Sequence, residues 1–205
     1  MDASWEDLPR NKIAFVTFNY DRSLEHYLAT AFEHKYGKSR EEALAMVVNF
    51  PIVHVYGMLG PLDPKIEGHM PYGVGTRPEA RYHAVARAAS GLQVIAEGRD
   101  DSPALQRARE LINAADALCF LGFGFDSTNV ARLGGVAIRA GGPLNAVGDW
   151  SPRRFAATAY GMTVAERHSA TSAISNSSAF KMVLAAMHDL KCLATLRETL
   201  ILSKP

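Results

Sequence analysis

The chain has 205 residues, 48% of them hydrophobic and 21% charged, a composition that excludes a disordered or fibrous protein and suits one domain or, at the limit, two small ones. Lys and Arg number 22 against 21 Asp and Glu, for a formal net charge of +1, so there is no bulk positive field to hold a nucleic-acid backbone. The longest apolar runs, such as Ala117–Phe123, fall far short of the ~20 residues that span a bilayer, and the opening MDASWEDLPRNK lacks the basic and apolar regions of a secretory leader.

The apolar run Ile13–Phe18 reads as a buried strand. A helix follows from Asp21 to about Tyr36, with Leu24, Tyr27, Leu28, Ala31 and Phe32 on one face and Gly37 at the C-terminal cap position. Ser39-Arg-Glu-Glu42 is a capping box opening a second helix to about Val48. Pro51–Tyr56 reads as the next strand, and the Gly- and Pro-rich stretch from Gly57 to about Pro78 as a long loop of the kind that tends to be functional. A helix over Glu79–Ala89 leads to a strand at Leu92–Ala96. Ser102-Pro103 marks the start of a helix that runs to about Ala114 and buries Leu105, Ala108, Leu111 and Ile112. Ala117–Phe123 is the clearest central strand, followed by a short helix over Thr128–Leu133. Leu144–Val147 and Ala156–Tyr160 are further strand candidates. Val164–Leu202 reads as helical, with breaks near 173–178 and near Lys191; Met182, Leu184, Ala185, Met187 and His188 are expected to pack on a sheet, an exposed dimer stripe being the alternative. Cys119 and Cys192 match no metal or redox spacing, and Cys119 reads as a small buried hydrophobe. Together with the missing leader this points to a cytoplasmic chain without a metal site.

Strands alternating with helices predict a single α/β domain over 1–205, with a mostly parallel, Rossmann-like sheet over about 12–150 and a helical tail over about 164–202. Ligands of such sheets bind beyond the carboxyl ends of the strands. There the chain places Thr17-Phe18-Asn19-Tyr20-Asp21, His54-Val55-Tyr56-Gly57 and Gly122-Phe123-Gly124-Phe125. Each has a structural reading: Asp21 caps the next helix, Asn19 closes a turn, His54 is a hydrogen-bonded core histidine, and Asp126 or Ser127 caps a helix. Each also has a functional one: an amide and a carboxylate facing a ligand, a base beside a sugar hydroxyl, and glycines that let a phosphate or ribose approach the backbone. The Gly122-x-Gly124 pair does not complete G-x-G-x-x-G, because Ser127 stands three residues on.

Taken in this order, the three segments resemble the SIR2-like family, the bacterial relatives of sirtuins. Thr17-Phe18-Asn19-Tyr20-Asp21 looks like the family's T-x-N-x-D segment. His54-Val55-Tyr56-Gly57 looks like its HG-containing strand, and Leu121-Gly122-Phe123-Gly124-Phe125 like its later strand tip. The resemblance implies a Rossmann-like domain that binds NAD, an adenine dinucleotide, and hydrolyses it to nicotinamide and ADP-ribose, a chemistry several such bacterial domains use in defence against phage. Asn19, Asp21 and His54 would be catalytic. Thr17, Tyr20, Tyr56, Gly57, Gly122, Gly124, Phe125 and Asn145 would contact the dinucleotide, and no metal is implied.

Two departures qualify the resemblance. Tyr56 stands where the family's catalytic His precedes the Gly, and a phenol with a pKa near 10 is a poor base at neutral pH. This argues against lysine deacylation and leaves NAD hydrolysis to His54, or to Asn19 and Asp21 positioning water. The family's Gly-rich G-A-G-x-S loop has no counterpart before Ile13, so a longer form or a partner chain is expected to supply it. A non-catalytic NAD or ADP-ribose sensor, and a degenerate interaction domain working through a homo-oligomer, are the alternatives.

Overall fold

The computed structural model describes residues 4–73, 78–92, 102–134 and 153–203. The chain divides into two compact units, Met1–Ala104 and Leu105–Pro205. In the first, the apolar run after Lys12 forms β1 (Phe15–Thr17), and the run after Pro51 forms β2 (Ile52–His54). The two pair in parallel, with Phe15 opposite Ile52, Val16 opposite Val53 and Thr17 opposite His54. Parallel neighbours need a crossover, and α1 (Ser23–Tyr36) and α2 (Arg40–Val47) supply it. Gly37 ends α1 in the left-handed conformation, at φ 62°. The predicted Ser39–Glu42 capping box opens α2: the Ser39 hydroxyl accepts from the Glu42 amide, and the Glu42 carboxylate accepts from the Ser39 amide. The helices bury Ala29, Ala43, Leu44 and Val47 with Leu62, while Leu8, Met46 and Phe50 form a second cluster under Trp5 and Phe32.

Helix α1 corrects one expectation. Its buried side centres on Leu28, Ala29 and Phe32, and Tyr27, one helical step of about 100° away, is 70% exposed. A Tyr tolerates this because its hydroxyl stays solvated.

After β2 the chain turns at Gly57, whose φ of 80° and antiparallel bridge to Leu92 bring it against the backbone of Gly91. A side chain there would run into the Gly91 carbonyl oxygen. Leu92 follows α3 (Pro78–Ser90); the rest of the strand expected over Leu92–Ala96 lies outside the described residues.

In the second unit α4 (Pro103–Ala114) buries Leu105, Ala108 and Ile112 and leads into β3 (Ala117–Phe120). Then come α5 (Ser127–Arg132), β4 (Arg154–Thr158), α6 (Val164–Ile174), α7 (Phe180–Ala185), β5 (Met187–His188) and α8 (Cys192–Thr199). The strands form a parallel sheet in the order β3-β4-β5. Among the described residues β4 lies between β3 and β5 and is lined by Phe155, Ala156 and Ala157. The second correction is β5. Met187 and His188, expected in a helix, pair with Ala157 and Thr158. The Ala157 amide donates to Ala186 O at 3.0 Å and the Ala159 amide to His188 O at 2.7 Å, so tertiary pairing overrides a helical pattern. The strand candidate at Leu144–Val147 lies outside the described residues. The class is mixed α/β, with two small parallel sheets flanked by helices and a largely helical C-terminal segment. No helix among the described residues is long and apolar enough to cross a membrane.

Gly57→Ala combines positive φ with a collision against backbone, and we expect it to lower the unfolding free energy by about 2–4 kcal/mol. Gly124→Ala, which has positive φ but open space around it, should lose only about 1 kcal/mol. Denaturant unfolding of the two variants checks the ranking; equal losses would overturn it.

Candidate functional site

The parallel register ends β1 and β2 side by side, and the residues after them form one cluster in the first unit. Thr17, half-buried, accepts from the Asn19 amide through Oγ1 at 3.1 Å, and its carbonyl accepts from Val55 N at 2.9 Å. This turn leaves Asn19, Tyr20 and Asp21 exposed. The Asn19 side-chain amide has no hydrogen-bond partner among the described residues, while Asp21 Oδ1 accepts from Ser23 N at 2.8 Å. That bond and the Ser23 side chain hold the Asp21 carboxyl below its ordinary range, burial opposing and His54 assisting. Asp21 is ionised at neutral pH and sits one residue ahead of the position expected of a helix cap, which Arg22 occupies without a side-chain cap bond.

His54 closes β2, and its side chain is 5% exposed. Its Nδ1 lies 2.7 Å from Asn19 O, and its Nε2 lies 2.7 Å from Glu25 Oε1. A carbonyl only accepts, so Nδ1 carries a proton and donates; an ionised carboxylate only accepts, so Nε2 donates as well. When protonated, the ring is clamped between the strand-tip carbonyl and α1, donating to both. Burial pulls its pKa down, but the bonds to Glu25 and the Asn19 carbonyl, with the charges of Glu25 and Asp21, outweigh it and raise the pKa above 6.5. His54 therefore positions Asn19 through the backbone, and both of its nitrogens are occupied.

Two residues that the sequence reading missed complete the cluster. Glu25 is the partner of His54, its side chain 13% exposed. Buried Arg22 points into the loop after β2 and donates to Gly60 O at 3.0 Å, to Met70 O and to Pro71 O at 3.3 Å. Tyr72, at the end of the same loop, stacks on His26 at 3.9 Å and bonds to Ser23 Oγ. The loop is thus fastened at both ends to the start of α1, immediately beside Asp21. The signal for Arg22 was a cation directly after a strand tip; for Glu25 no spacing links residues 25 and 54.

The other expected contact residues fall into two groups. Tyr56 is buried in the turn after β2, its ring edge-on to Phe18 at 5.4 Å, and Gly57 serves the backbone approach to Gly91. Gly122, Gly124 and Phe125 belong to the second unit, at the carboxyl end of β3. All three have positive φ, 62°, 69° and 54°. The Gly122 amide donates to Thr158 Oγ1 at 2.7 Å. The Phe125 ring is buried against Phe120 and Phe123, which leaves only its backbone to meet a ligand. Asp126 caps α5 by accepting from Thr128 N and Asn129 N. Asn145 lies outside the described residues, and no cluster of metal-ligating side chains occurs among the described ones.

Because the folded-state pKa of His54 lies above its unfolded value near 6.5, the clamp's stabilisation is complete below pH ~6.5 and is lost as pH rises through the folded pKa. The stability gap between wild type and His54→Gln should narrow as pH rises above ~6.5 through the folded-state pKa, and Glu25→Gln should lower the His54 pKa in an NMR titration and cost about 2–4 kcal/mol. A flat gap, or an unmoved titration, would overturn the clamp.

Comparison of the chain with protein-family models, with curated proteins and with solved structures finds no match, so the site stands on its own geometry.

Proposed function

We propose that the chain is a SIR2-like domain that binds NAD at the tip of β1 and hydrolyses it to nicotinamide and ADP-ribose. The observation that supports this most is the pairing of a partnerless, solvent-facing Asn19 amide with the ionised Asp21 carboxylate at the carboxyl end of two parallel strands, where α/β proteins take their ligands. On this reading Asn19 orients the ribose or the attacking water, and Asp21 lies where positive charge develops on the ribose ring in an oxocarbenium-like transition state. Nicotinamide leaves as a neutral group, so no strong acid is required. His54 is then a positioning residue rather than the base. A cytoplasmic location and a role in defence belong to the same reading.

The occupation of both His54 nitrogens, with Tyr56 buried beside Phe18, favours a second reading: a sensor that binds NAD or ADP-ribose without turnover.

Nicotinamide release at millimolar NAD, with a thermal shift on the same sample, tests both. Hydrolysis predicts release that falls at least a hundredfold in Asn19→Ala, a loss of about 3 kcal/mol of transition-state stabilisation, while the variant's far-UV circular dichroism stays unchanged. A thermal shift without release selects the sensor. Release that survives in Asn19→Ala overturns the assigned site, and neither release nor shift overturns the NAD reading.

A further inference from the structure

The turn after β1 is held by bonds that converge on it from three sides. The Asn19 carbonyl accepts from His54, and Asp21 Oδ1 accepts from Ser23 N at 2.8 Å. The loop after β2 supplies the rest. Its start bonds to the tip, Leu59 N donating to Tyr20 O at 3.1 Å. Its end carries Tyr72, which is 49% exposed and nevertheless fixed through ring, backbone and hydroxyl. The ring lies flat on His26, 3.9 Å between centroids and 5° between planes. Arg40, the first residue of α2, donates to His26 Nδ1 at 2.8 Å and is itself anchored to Glu33 Oε2 at 2.8 Å and Thr30 Oγ1 at 3.1 Å. Helix α2 thereby sets the plane on which Tyr72 rests. Arg22 donates to the carbonyls of Met70 and Pro71 immediately before Tyr72, and its guanidinium carbon lies 6.0 Å from the ring centroid. The phenol oxygen then meets Ser23 Oγ at 3.3 Å. A half-exposed tyrosine ordinarily keeps much of its rotamer freedom; this one is immobilised, and its hydroxyl ends on the residue that holds the Asp21 carboxylate.

We propose that Tyr72 is a positioning residue for Asp21: carried by the loop after β2, its phenol fixes Ser23, and Ser23 fixes the carboxylate. The loop is then a strap across the tip, bonded to Tyr20 at one end and to Ser23 at the other. Its functional meaning rests on the reading of Asn19 and Asp21 as the reacting tip, while the contacts stand without that reading. A hydroxyl that accepts a hydrogen bond donates a stronger one. With Tyr72 donating to Ser23 Oγ, the Ser23 hydroxyl is free to donate to Asp21, and it joins the Ser23 amide in holding that carboxyl low. The other charged group acting on Asp21 is His54, which Tyr72 does not touch.

The test follows the Asp21 carboxyl carbon by NMR through a pH titration of the full chain. Tyr72→Phe keeps the ring on His26 and removes only the hydroxyl. It should raise the Asp21 midpoint by about 0.3–0.5 pH unit, with circular dichroism and the His54 titration as in wild type. Ser23→Ala should raise the midpoint at least as far, and adding Tyr72→Phe to it should change nothing more, because both act through one hydroxyl. An Asp21 midpoint that stays put in Tyr72→Phe, or that rises equally with and without the Ser23 hydroxyl, would overturn the proposal. Where wild type releases nicotinamide from NAD, Tyr72→Phe should lower kcat about three- to tenfold and leave KM within about twofold; a raised KM with unchanged kcat would make Tyr72 a binding residue and overturn the positioning role. Absence of release in wild type counts against the NAD reading alone, and the titration decides Tyr72 in either case.

Discussion

The first unit is organised around one buried pair, His54 with Glu25. The His54 ring is fixed by register: with Thr17 opposite His54, the side chain at the end of β2 reaches the Asn19 carbonyl just past the end of β1, and α1 delivers Glu25 from the other side. A slip of one residue would put Val53 or Val55 in that place and send the imidazole to the opposite face. A buried imidazolium without its carboxylate is costly, so the pair ties the strand register, the turn at Asn19 and the direction in which α1 leaves to one another. Arg22 does the same for the loop after β2, whose carbonyls at Gly60, Met70 and Pro71 converge on a single guanidinium. Backbone acceptors that a long loop would otherwise leave unpaired are satisfied by this one side chain.

What was legible in the sequence was what local chemistry determines. The Ser39–Glu42 box, the left-handed Gly37 and the Asp126 cap each act within four residues, and each stands where its residue types require. The apolar runs at Ile13–Phe18, Pro51–Tyr56 and Ala117–Phe123 contain strands, although the ladders are only three or four residues long. What escaped depends on contacts between distant residues. Nothing in a one-dimensional pattern separates Glu25 from Glu33, the other acidic residue of α1, and Met187-His188 reads as helix until β4 offers its edge. Tyr27 was assigned by spacing alone, which gives the width of a helix face better than its centre. Asn19, Asp21 and His54 were singled out by their places at strand ends; that both nitrogens of His54 are engaged became visible only with its partners.

The tip of β3 shows a different device. Gly122, Gly124 and Phe125 all take positive φ within four residues, and for Phe125 this conformation costs on the order of 1–3 kcal/mol. Ring packing among Phe120, Phe123 and Phe125, with centroids 5.3–5.6 Å apart, offsets it. The rings turn inward as a wedge, and the tip meets solvent through glycine backbone. A ligand at such a surface would be met by amide groups at close approach, and the surface differs in kind from the side-chain cluster at Asn19.

The bonding of His54 also limits the chemistry open to the first cluster. With Nδ1 donating to the Asn19 carbonyl and Nε2 held by Glu25, the ring has no free nitrogen to take a proton from a ligand. Asp21, held below the ordinary carboxylate range by Ser23, is a weak base but a persistent anion. A site of this composition is poor at moving protons and well suited to stabilising positive charge. On the proposed reading, departure of nicotinamide suits such a site, because it makes little demand on an acid and draws on an anion beside the ribose. If turnover occurs at this tip, its rate should follow the ionisation of Asp21 and stay level across the pH range in which a histidine base would titrate.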